Sequence, residues 1–441
     1  MAKLIWDKGG SAVDARVQRF LAGDDVIHDR ALFLHDVRAS KAHARGLARA
    51  GILTAEEASA LTRELDALGE AFASGAFVLD ERFEDGHSAI EAHLVERLGD
   101  LGKKVHTGRS RNDQVLVASR LFLRDALEQA EGHALAAAAA FLARAEAHAM
   151  TPMPGYTHLQ RAVPSSVGMW LSGFAEAMID NAALARMTGA WIDACPLGTA
   201  AGYGVNLPLD RQGVSDELGF ARLQISPVYA QNSRGKFELQ ALQALLQPLL
   251  DVRRFAWDLS LYTTAEFAFV RLPDAFTTGS SIMPNKKNPD VVELLRASPS
   301  AVLGAIAEVS SVLSLSSGYH RDLQATKAPV LRAVEASLMA LSLVAELVEK
   351  MAFDEARMAE AISPDMYATD RAVELAREGL PFRAAYQKVA EELDALGDRR
   401  PAESLTARVS PGGAGKLMLT ELHARLTEAE RERASTARAP K

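Results

Sequence analysis

Five long stretches of this sequence carry apolar residues at helical spacing, and they constrain the fold more than any other feature. In the first, residues 112–149, apolar or small side chains recur every three or four positions, at Val115, Ser119, Phe122, Ala126 and Ala130. This spacing places them in one stripe along a long helix.

Four more patterns of this kind follow along the chain. One is expected to begin with Pro164 in its opening turn, where proline is tolerated. The other three cover residues 237–269, 294–315 and 330–351. Pro248 lies inside the 237–269 pattern and predicts a kink in that helix rather than its end. Alternating β-branched runs are scarce. The sequence therefore predicts an all-α (mainly α) protein built around an extended bundle of long helices.

The length of the chain predicts several domains. With 441 residues it exceeds one ordinary core, since domains average about 150 residues. We expect an N-terminal helical domain over 1–108, a central long-helix bundle over 109–360 and a small C-terminal helical domain over 361–441. The central helices are apolar on several faces, which would leave large exposed patches on a monomer. An obligate oligomer is the expected state.

The overall charge argues against some classes of partner. A formal net charge of −8, from 49 basic and 57 acidic residues, gives no general attraction to nucleic acid or to anionic lipid. The sequence shows no apolar segment of secretory type or membrane length. Its single cysteine, Cys195, fits a reducing compartment. We expect a cytoplasmic protein that binds neither nucleic acid nor membrane.

Four polar segments interrupt the apolar pattern, and each adjoins a long helix. They read HTGRSRNDQ at 106–114, GYTHLQ at 155–160, GSSIMPNKKNP at 279–289 and SGYHRDLQATK at 317–327. Three of them carry cations that together suit a substrate with several carboxylates; these are Arg109, Arg111, Lys286, Lys287, Arg321 and Lys327. For any one segment alone, a solvated loop or helix end explains the cations equally well.

The segment GSSIMPNKKNP concentrates groups suited to proton transfer and anion binding. No Gly-x-Ser-x-Gly elbow surrounds Ser280 and Ser281, and Pro284 stands where a phosphate-binding loop needs a glycine. In a glycine-hinged loop, Ser280 can act as a general base if the nearby cation and backbone donors favour its alkoxide. The alternative is a turn in which the serine caps a helix.

His158 is a second candidate for proton transfer, because it lies in a proline- and glycine-rich loop and not on an apolar helix face. A carboxylate partner would raise the pKa of its imidazole, and Glu293 is a candidate partner if the fold brings it close. His87 and Glu91 lie one helical turn apart, a spacing that permits a structural pair. The sequence has no HExxH pair or cysteine cluster and no GxGxxG order, so we expect neither a metal nor a dinucleotide.

Together these segments resemble one known family. GSSIMPNKKNP is similar to the signature loop of the fumarase/aspartase superfamily, and HTGRSRNDQV, GYTHLQRA, LPDAFTTGSSIMP and GLPFRAAY resemble the argininosuccinate lyases within it. The resemblance implies a three-domain, mostly helical subunit and a homotetramer whose active sites each draw on three subunits. It also implies reversible anti β-elimination of argininosuccinate to L-arginine and fumarate, in arginine biosynthesis, without a metal or organic cofactor.

The resemblance further implies a role for individual residues. Ser280 matches the base that removes a proton beside a carboxylate, and Lys286 and Asn288 match residues that bind this carboxylate. His158 matches the histidine linked to proton transfer at the departing nitrogen, and Glu293 matches its carboxylate partner. The remaining matches are to substrate-contact positions, namely Ser110, Arg111, Asn112, Thr157, Tyr319, Gln324 and Lys327.

The chain also departs from the family pattern around substrate recognition. Asp25 and Asn285 replace a serine and a glutamine, residues 233–236 read Ser-Arg-Gly-Lys instead of Ser-Asp-Arg-Asp, and residues 325–326 lack an acidic pair. These changes predict a divergent branch that holds the arginine end differently. Two alternatives remain open: a sibling fumarate-releasing lyase of the adenylosuccinate or aspartate type, and a catalytically silent, crystallin-like structural protein of the same fold. HTGRSRNDQ argues against the first, and the retained Ser280 and His158 against the second.

Overall fold

The N-terminal part of the protein is a group of helices with its own apolar core. The computed structural model describes residues 14–397 and 399–436. The helices are α1 Ala15–Ala22, α2 Asp25–His28, α3 Phe33–Arg49, α4 Ala55–Ala73, α5 Gly86–Leu98 and α6 Asp100–Lys103. Capping boxes begin α4 at Thr54 and α5 at Asp85, which satisfies backbone N–H groups that a helix leaves free. The apolar faces meet around Phe33, Leu61 and Leu65.

Long helices dominate the central part. They are α7 Arg111–Ala147, α8 Val167–Ile192, α9 Arg211–Glu217, α10 Pro227–Asn232, α11 Lys236–Tyr262, α12 Asp290–Ala297, α13 Pro299–Val312, α14 Lys327–Ser342 and α15 Val344–Lys350. With 37 residues, α7 is about 55 Å long at 1.5 Å per residue. It packs most extensively against α8, and also against α11, α14 and α15.

One large core joins these helices. Phe141 of α7 packs edge-on against Phe255 of α11, with ring centroids 5.0 Å apart, and Trp170 of α8 lies against the same Phe255 at 5.6 Å. Leucines and alanines of α7, α8, α11, α13 and α14 fill the rest of this core. The bundle is therefore one packed body, and its helix ends are where the polar segments emerge.

The strands in the described part of the chain form four short two-stranded sheets. β1 Pro152–Thr157 and β2 Gln160–Ser166 make an antiparallel hairpin between α7 and α8. The other pairs join β3 Ala194–Cys195 to β4 Arg222–Leu223, β5 Val270–Arg271 to β8 Ala352–Phe353, and β6 Thr278–Gly279 to β7 Lys287–Asn288. The prediction of a mainly α protein built on a bundle of long helices is confirmed.

The predicted position of Pro164 is wrong. It lies in β2 opposite Pro154, and α8 begins three residues later at Val167, where the Ser166 hydroxyl accepts a hydrogen bond from the backbone N–H of Met169 at 3.1 Å. A proline lacks the N–H that an interior strand needs, but a two-stranded sheet has only edge strands and tolerates it. The hydroxyl cap starts the helix.

One of the remaining long patterns forms a single helix, and the other two are each divided into two helices. Pro248 lies inside α11, which continues to Tyr262, so the prediction that it does not end the helix is confirmed. The 294–315 pattern is divided, because α12 ends at Ala297 and α13 begins at Pro299. The 330–351 pattern is also divided, at Leu343 between α14 and α15.

The C-terminal part returns to the bundle. Its helices are α16 Glu355–Glu360, α17 Ala368–Arg377, α18 Phe382–Glu391, α19 Pro401–Ala407 and α20 Leu419–Thr436. α17 and α18 share a small core around Leu375 and Val389, whereas Leu422 and Leu426 of α20 belong to the core of the central bundle. The three-domain division stays a prediction, with α20 packed across its second boundary. No helix among the described residues is long and apolar enough to cross a membrane.

Candidate active site

A cavity of about 120 Å³ opens beside the N-terminus of α7. Its walls combine five of the predicted substrate-contact residues, from two polar segments about 200 positions apart: Arg111, Asn112, Tyr319, Gln324 and Lys327. The fold thus assembles one pocket from HTGRSRNDQ and SGYHRDLQATK, although substrate contact by these residues remains a prediction.

The first turn of α7 is fixed by a reciprocal cap. The side chain of Ser110 accepts a hydrogen bond from the start of the helix, and the backbone N–H of Ser110 donates to Asp113 Oδ1 at 2.9 Å. Arg111 follows at the first helical position, where its Nη1 contacts Glu84 Oε1 at 2.9 Å and Asp85 Oδ2 at 3.0 Å. Ser110 therefore acts in this chain as the cap that orients Arg111.

Lys327, which also lines the cavity, is held by two carboxylates. Its Nζ lies 2.8 Å from Asp25 Oδ1 and 2.7 Å from Asp29 Oδ1. Burial alone lowers the pKa of Lys327, but the two carboxylates raise it above the usual value for lysine, so the ammonium stays charged. Residues 325 and 326 are not acidic in this chain, and the acids beside Lys327 are instead Asp25 of α2 and Asp29 of the turn after it.

His87 pairs with Asp36, and the predicted pair with Glu91 is wrong. His87 Nδ1 contacts Asp36 Oδ2, and both side chains are buried. Burial favours the neutral imidazole, yet the Asp36 and Asp85 carboxylates raise the pKa of His87 to about 9. The result is an imidazolium–carboxylate pair in which His87 lines the cavity and Asp36 does not. Helical spacing allowed the Glu91 pair, but the side chain turns instead towards α3.

Two further predicted cations differ in their surroundings. Arg109 is buried and its Nη1 donates to Ser40 Oγ at 2.8 Å, so it supports the turn before α7 and does not line the cavity. Burial lowers the pKa of Arg109. Arg321 lines the cavity, and its Nη2 donates to the backbone oxygen of Leu21 at 2.8 Å. Gln324 Nε2 donates to the same oxygen at 3.1 Å, which fixes the end of α1 over this wall.

His158 lies at the tip of the β1–β2 hairpin. Both turn residues, His158 and Leu159, have positive φ values of 55° and 58°, as a two-residue type I′ turn requires. Side chains other than glycine, asparagine and aspartate rarely adopt this conformation, and such strain concentrates at functional sites. The turn exposes His158 and the neighbouring Thr157 to solvent.

A second, larger cavity lies beside this hairpin. It is lined mainly by apolar and aromatic side chains, including Tyr156, Trp170 and Phe267, with His158 at its edge. Its one carboxylate belongs to Asp258, which accepts a hydrogen bond from Trp170 Nε1 at 2.8 Å. Burial raises the pKa of Asp258. The surroundings of His158 are therefore apolar, in contrast to the charged cavity at α7.

The segment 279–289 forms an open loop closed at its base by β6 and β7. Ser280 Oγ accepts hydrogen bonds from the backbone N–H groups of Ile282 at 3.3 Å and Met283 at 3.1 Å. Such donors stabilise negative charge on the oxygen, which agrees with the base interpretation. The serine caps a turn and not a helix, because the next helix, α12, begins at Asp290. Lys286 is exposed, and within the described chain no side chain or carbonyl pairs with its ammonium group. The neighbouring Lys287 pairs with Asp274 at 2.7 Å.

One chain does not bring all the predicted residues together. Arg111 begins α7 and the hairpin of His158 follows its end, so a helix of about 55 Å separates the two. Glu293 contacts Arg296 at 3.6 Å and does not line the cavity beside His158. Ser280 and Lys286 line neither cavity. Among residues 14–397 and 399–436, no group of three His, Cys, Asp or Glu side chains is arranged to hold a metal ion.

Sequence reasoning missed the acids behind the charged cavity, although a signal was present. Asp29 and Asp36 hold Lys327 and His87, and neither was singled out. Asp25, Asp29 and Asp36 are spaced by four and seven residues, which is helical spacing, although the structure divides them among α2, the turn after it and α3.

The comparison with known proteins identifies the family. A lyase family, whose description is "Lyase", matches residues 12–304. The chain is 58% identical to argininosuccinate lyases of Stenotrophomonas maltophilia and Xanthomonas oryzae pv. oryzae, over 96% of this chain and 99% of each relative. Among solved structures, EDDS lyase in complex with formate superposes with a TM-score of 0.80, at 25% identity over 96% of this chain and 93% of that one. The chain therefore belongs to the fumarase/aspartase superfamily, and within it to the argininosuccinate lyase family.

Proposed function

We propose that the protein catalyses the reversible anti β-elimination of argininosuccinate to L-arginine and fumarate, as a carbon–nitrogen lyase. The observation that carries this proposal is the 58% identity to curated argininosuccinate lyases over nearly the full length of both chains. The loop geometry of Ser280 and the pocket around Arg111 and Lys327 agree with it. The pathway that needs this reaction is arginine biosynthesis, and the location we propose is the cytoplasm.

Ser280 is the base that removes the proton from the carbon next to a succinyl carboxylate. Such a carbon acid ionises only if the resulting aci-carboxylate is stabilised, and one preorganised donor supplies about 3 to 4 kcal/mol. Lys286 and Asn288, in the same loop, bind this carboxylate. The unpaired ammonium of Lys286 is available for this contact, and the two backbone N–H groups at Ser280 Oγ stabilise its alkoxide.

His158 delivers a proton towards the departing guanidinium nitrogen, and Glu293 is its carboxylate partner from another subunit. Thr157 contacts substrate beside it. The turn that exposes His158 at the hairpin tip presents the imidazole outward from its own subunit. Ser110, Arg111, Asn112, Tyr319, Gln324 and Lys327 contribute the remaining substrate contacts or orient them. No metal or organic cofactor takes part in the proposed reaction.

The active sites are shared within a homotetramer. The separation of Arg111 from His158 along α7 exceeds the length of any argininosuccinate molecule, so one site needs parts of several chains. The central helices also expose large apolar side chains, among them Trp191, Trp257 and Leu303, as a subunit interface does. The domain division at residues 108 and 360 is part of this proposal.

Fumarate absorbance tests the reaction. Addition of argininosuccinate to the purified protein should produce fumarate, while adenylosuccinate and aspartate should not. A flat trace with folded protein would contradict the enzyme assignment and favour the silent structural protein.

Mixing two inactive variants tests the shared sites. In the proposed tetramer, each site takes His158 and Ser280 from different subunits. A tetramer that mixes His158→Asn and Ser280→Ala subunits therefore contains some sites in which both positions are wild type. Dissociation and reassociation of the two variants together should restore fumarate release. Activity that stays absent in proven mixed tetramers would place both residues of each site on one subunit.

A further inference from the structure

The charged cavity beside α7 carries side chains of both signs. Its cations Arg111 and Lys327 face the carboxylates of Glu84, Asp85 and Asp25. In the proposed substrate, the fumarate-forming end has only negative groups, whereas the amino-acid end has a carboxylate and an ammonium on one carbon. A wall of mixed sign is complementary to the amino-acid end.

Arg234 is the cation of this cavity without a protein partner. Its side chain lines the cavity, and only 5% of the residue is exposed. Throughout the described part of the chain, no carboxylate, hydroxyl or carbonyl accepts a hydrogen bond from its guanidinium. A buried cation without a counter-ion is costly, and a guanidinium is shaped for two parallel hydrogen bonds to a carboxylate. An anionic group of a ligand would complete this site.

Asp25 is the most exposed of the three acids that line the cavity, and Glu84 and Asp85 both pair with Arg111. Both Asp25 and Asp29 contact Lys327, but the Asp25 side chain is 15% exposed and that of Asp29 only 4%. Asp29 also accepts a hydrogen bond from the backbone N–H of Gly86 at 2.8 Å, and it does not line the cavity. Of the two carboxylates that hold Lys327, Asp25 is therefore the one that lines the cavity, with free acceptor capacity beside Lys327.

We propose that Arg234 and Asp25 form the specificity-determining pair for the amino-acid end of the substrate. Arg234 binds the α-carboxylate and Asp25 accepts hydrogen bonds from the α-ammonium, while Lys327, in contact with Asp25, keeps the local charge balanced. This inference rests on the proposed function for the identity of the ligand. It assigns a purpose to two positions at which the sequence departs from the family pattern.

Calorimetric binding of L-arginine and agmatine to the intact protein tests Arg234. Agmatine is arginine without its carboxylate, so the wild type should bind L-arginine at least about tenfold more tightly, as expected for a bidentate charged hydrogen bond. Arg234→Met should remove this difference and leave fumarate binding unchanged. A difference that persists in the variant would overturn the role of Arg234.

Two further variants keep this test interpretable. Arg332→Met makes the same replacement on α14, at a residue that does not line the cavity. Arg332 pairs with Glu308, with 3.0 Å between Nη2 and Oε1. This variant should retain the preference for L-arginine. Arg234→Gln keeps a polar side chain and repeats the test independently of how the methionine variant folds. It should also lose the preference, and retention of the preference by Arg234→Gln would count against the proposal.

The compound 5-guanidinopentanoate, which is arginine without its α-ammonium, tests Asp25. The wild type should prefer L-arginine to it by about tenfold, which is the expected contribution of a charged hydrogen bond. Asp25→Asn should abolish this preference while Arg234 still distinguishes L-arginine from agmatine. Equal preferences in the wild type and Asp25→Asn would exclude the role of Asp25.

The paired amino-acid site and the proposed reaction can be refuted independently. If the wild type releases no fumarate but loses its L-arginine preference in Arg234→Met, the reaction is wrong and the amino-acid site stands. If the wild type cleaves argininosuccinate and both variants keep the wild-type preferences, the reaction stands and the paired site is wrong.

Discussion

The charged cavity at α7 and the 279–289 loop hold cations in opposite ways. Lys327 is buried between Asp25 and Asp29, whereas Lys286 is exposed and pairs with no side chain or carbonyl of the described chain. The first lysine is part of the folded structure before any ligand arrives, and the second has no structural role within one subunit. The comparison teaches that the charged cavity is preorganised within one subunit, whereas the loop presents its lysine to solvent.

The largest expected effect comes from the exposed loop. Ser280→Ala should lower kcat by about 10²- to 10⁴-fold, the usual contribution of a general base, and leave argininosuccinate binding nearly unchanged. Steady-state fumarate release and equilibrium binding measure the two quantities. Turnover near the wild-type rate would remove Ser280 from the base role.

Lys327→Met tests the structural half of the comparison. It leaves two carboxylates without their buried counter-ion, so the free energy of unfolding should fall by about 3 to 5 kcal/mol. Denaturant unfolding followed by circular dichroism measures the change. A loss below about 1 kcal/mol, the range of surface ion pairs, would show that the cavity lysine is not part of the folding energetics.

Lys286→Met tests the other half. Its free energy of unfolding should stay within about 0.5 kcal/mol of the wild type, as for other surface substitutions. Its kcat/KM should fall by about 10²- to 10³-fold, because a donor to the developing aci-carboxylate is lost. An unchanged KM with a small loss of rate would contradict the carboxylate-binding role.

The smallest expected effect is a pH dependence of stability due to His87, which lines the charged cavity. The folded-state pKa of His87 lies above the ordinary 6.5, at about 9. Its stabilising contribution is therefore complete below pH 6.5 and is lost as the pH rises through about 9. The pH profile of unfolding should flatten over this window in His87→Asn. An identical profile in both proteins would exclude the imidazolium–carboxylate pair as its source.

Much of the fold was predictable because helical periodicity reports burial directly. The 112–149 pattern became α7, and Pro248 stayed inside a helix as expected. Pro164 was placed wrongly because the two-stranded hairpin has little sequence periodicity, whereas a proline before an apolar helix has a strong local meaning. Ser110 and Asp113 form a capping box at the start of α7. A capping box is a local signal that needs no tertiary information.

The partners of charged side chains were less predictable. Helical spacing predicted a side-chain pair between His87 and Glu91, but the partner of His87 is Asp36 of α3. Likewise Lys327 finds its acids about 300 positions away, in Asp25 and Asp29. Buried charges select whichever counter-ion the packing of helices brings near, and sequence separation carries no record of that packing.

The sequence by itself determined the helical class, the family and the four polar segments, because periodicity and motif order are local properties of the chain. Only the tertiary structure decided how these segments are grouped. It joined the first and fourth segments into one charged cavity and kept His158 at the far end of α7. The physical reason is helix length: a rigid helix of 37 residues holds its ends about 55 Å apart, so residues at opposite ends cannot line the same cavity within one chain.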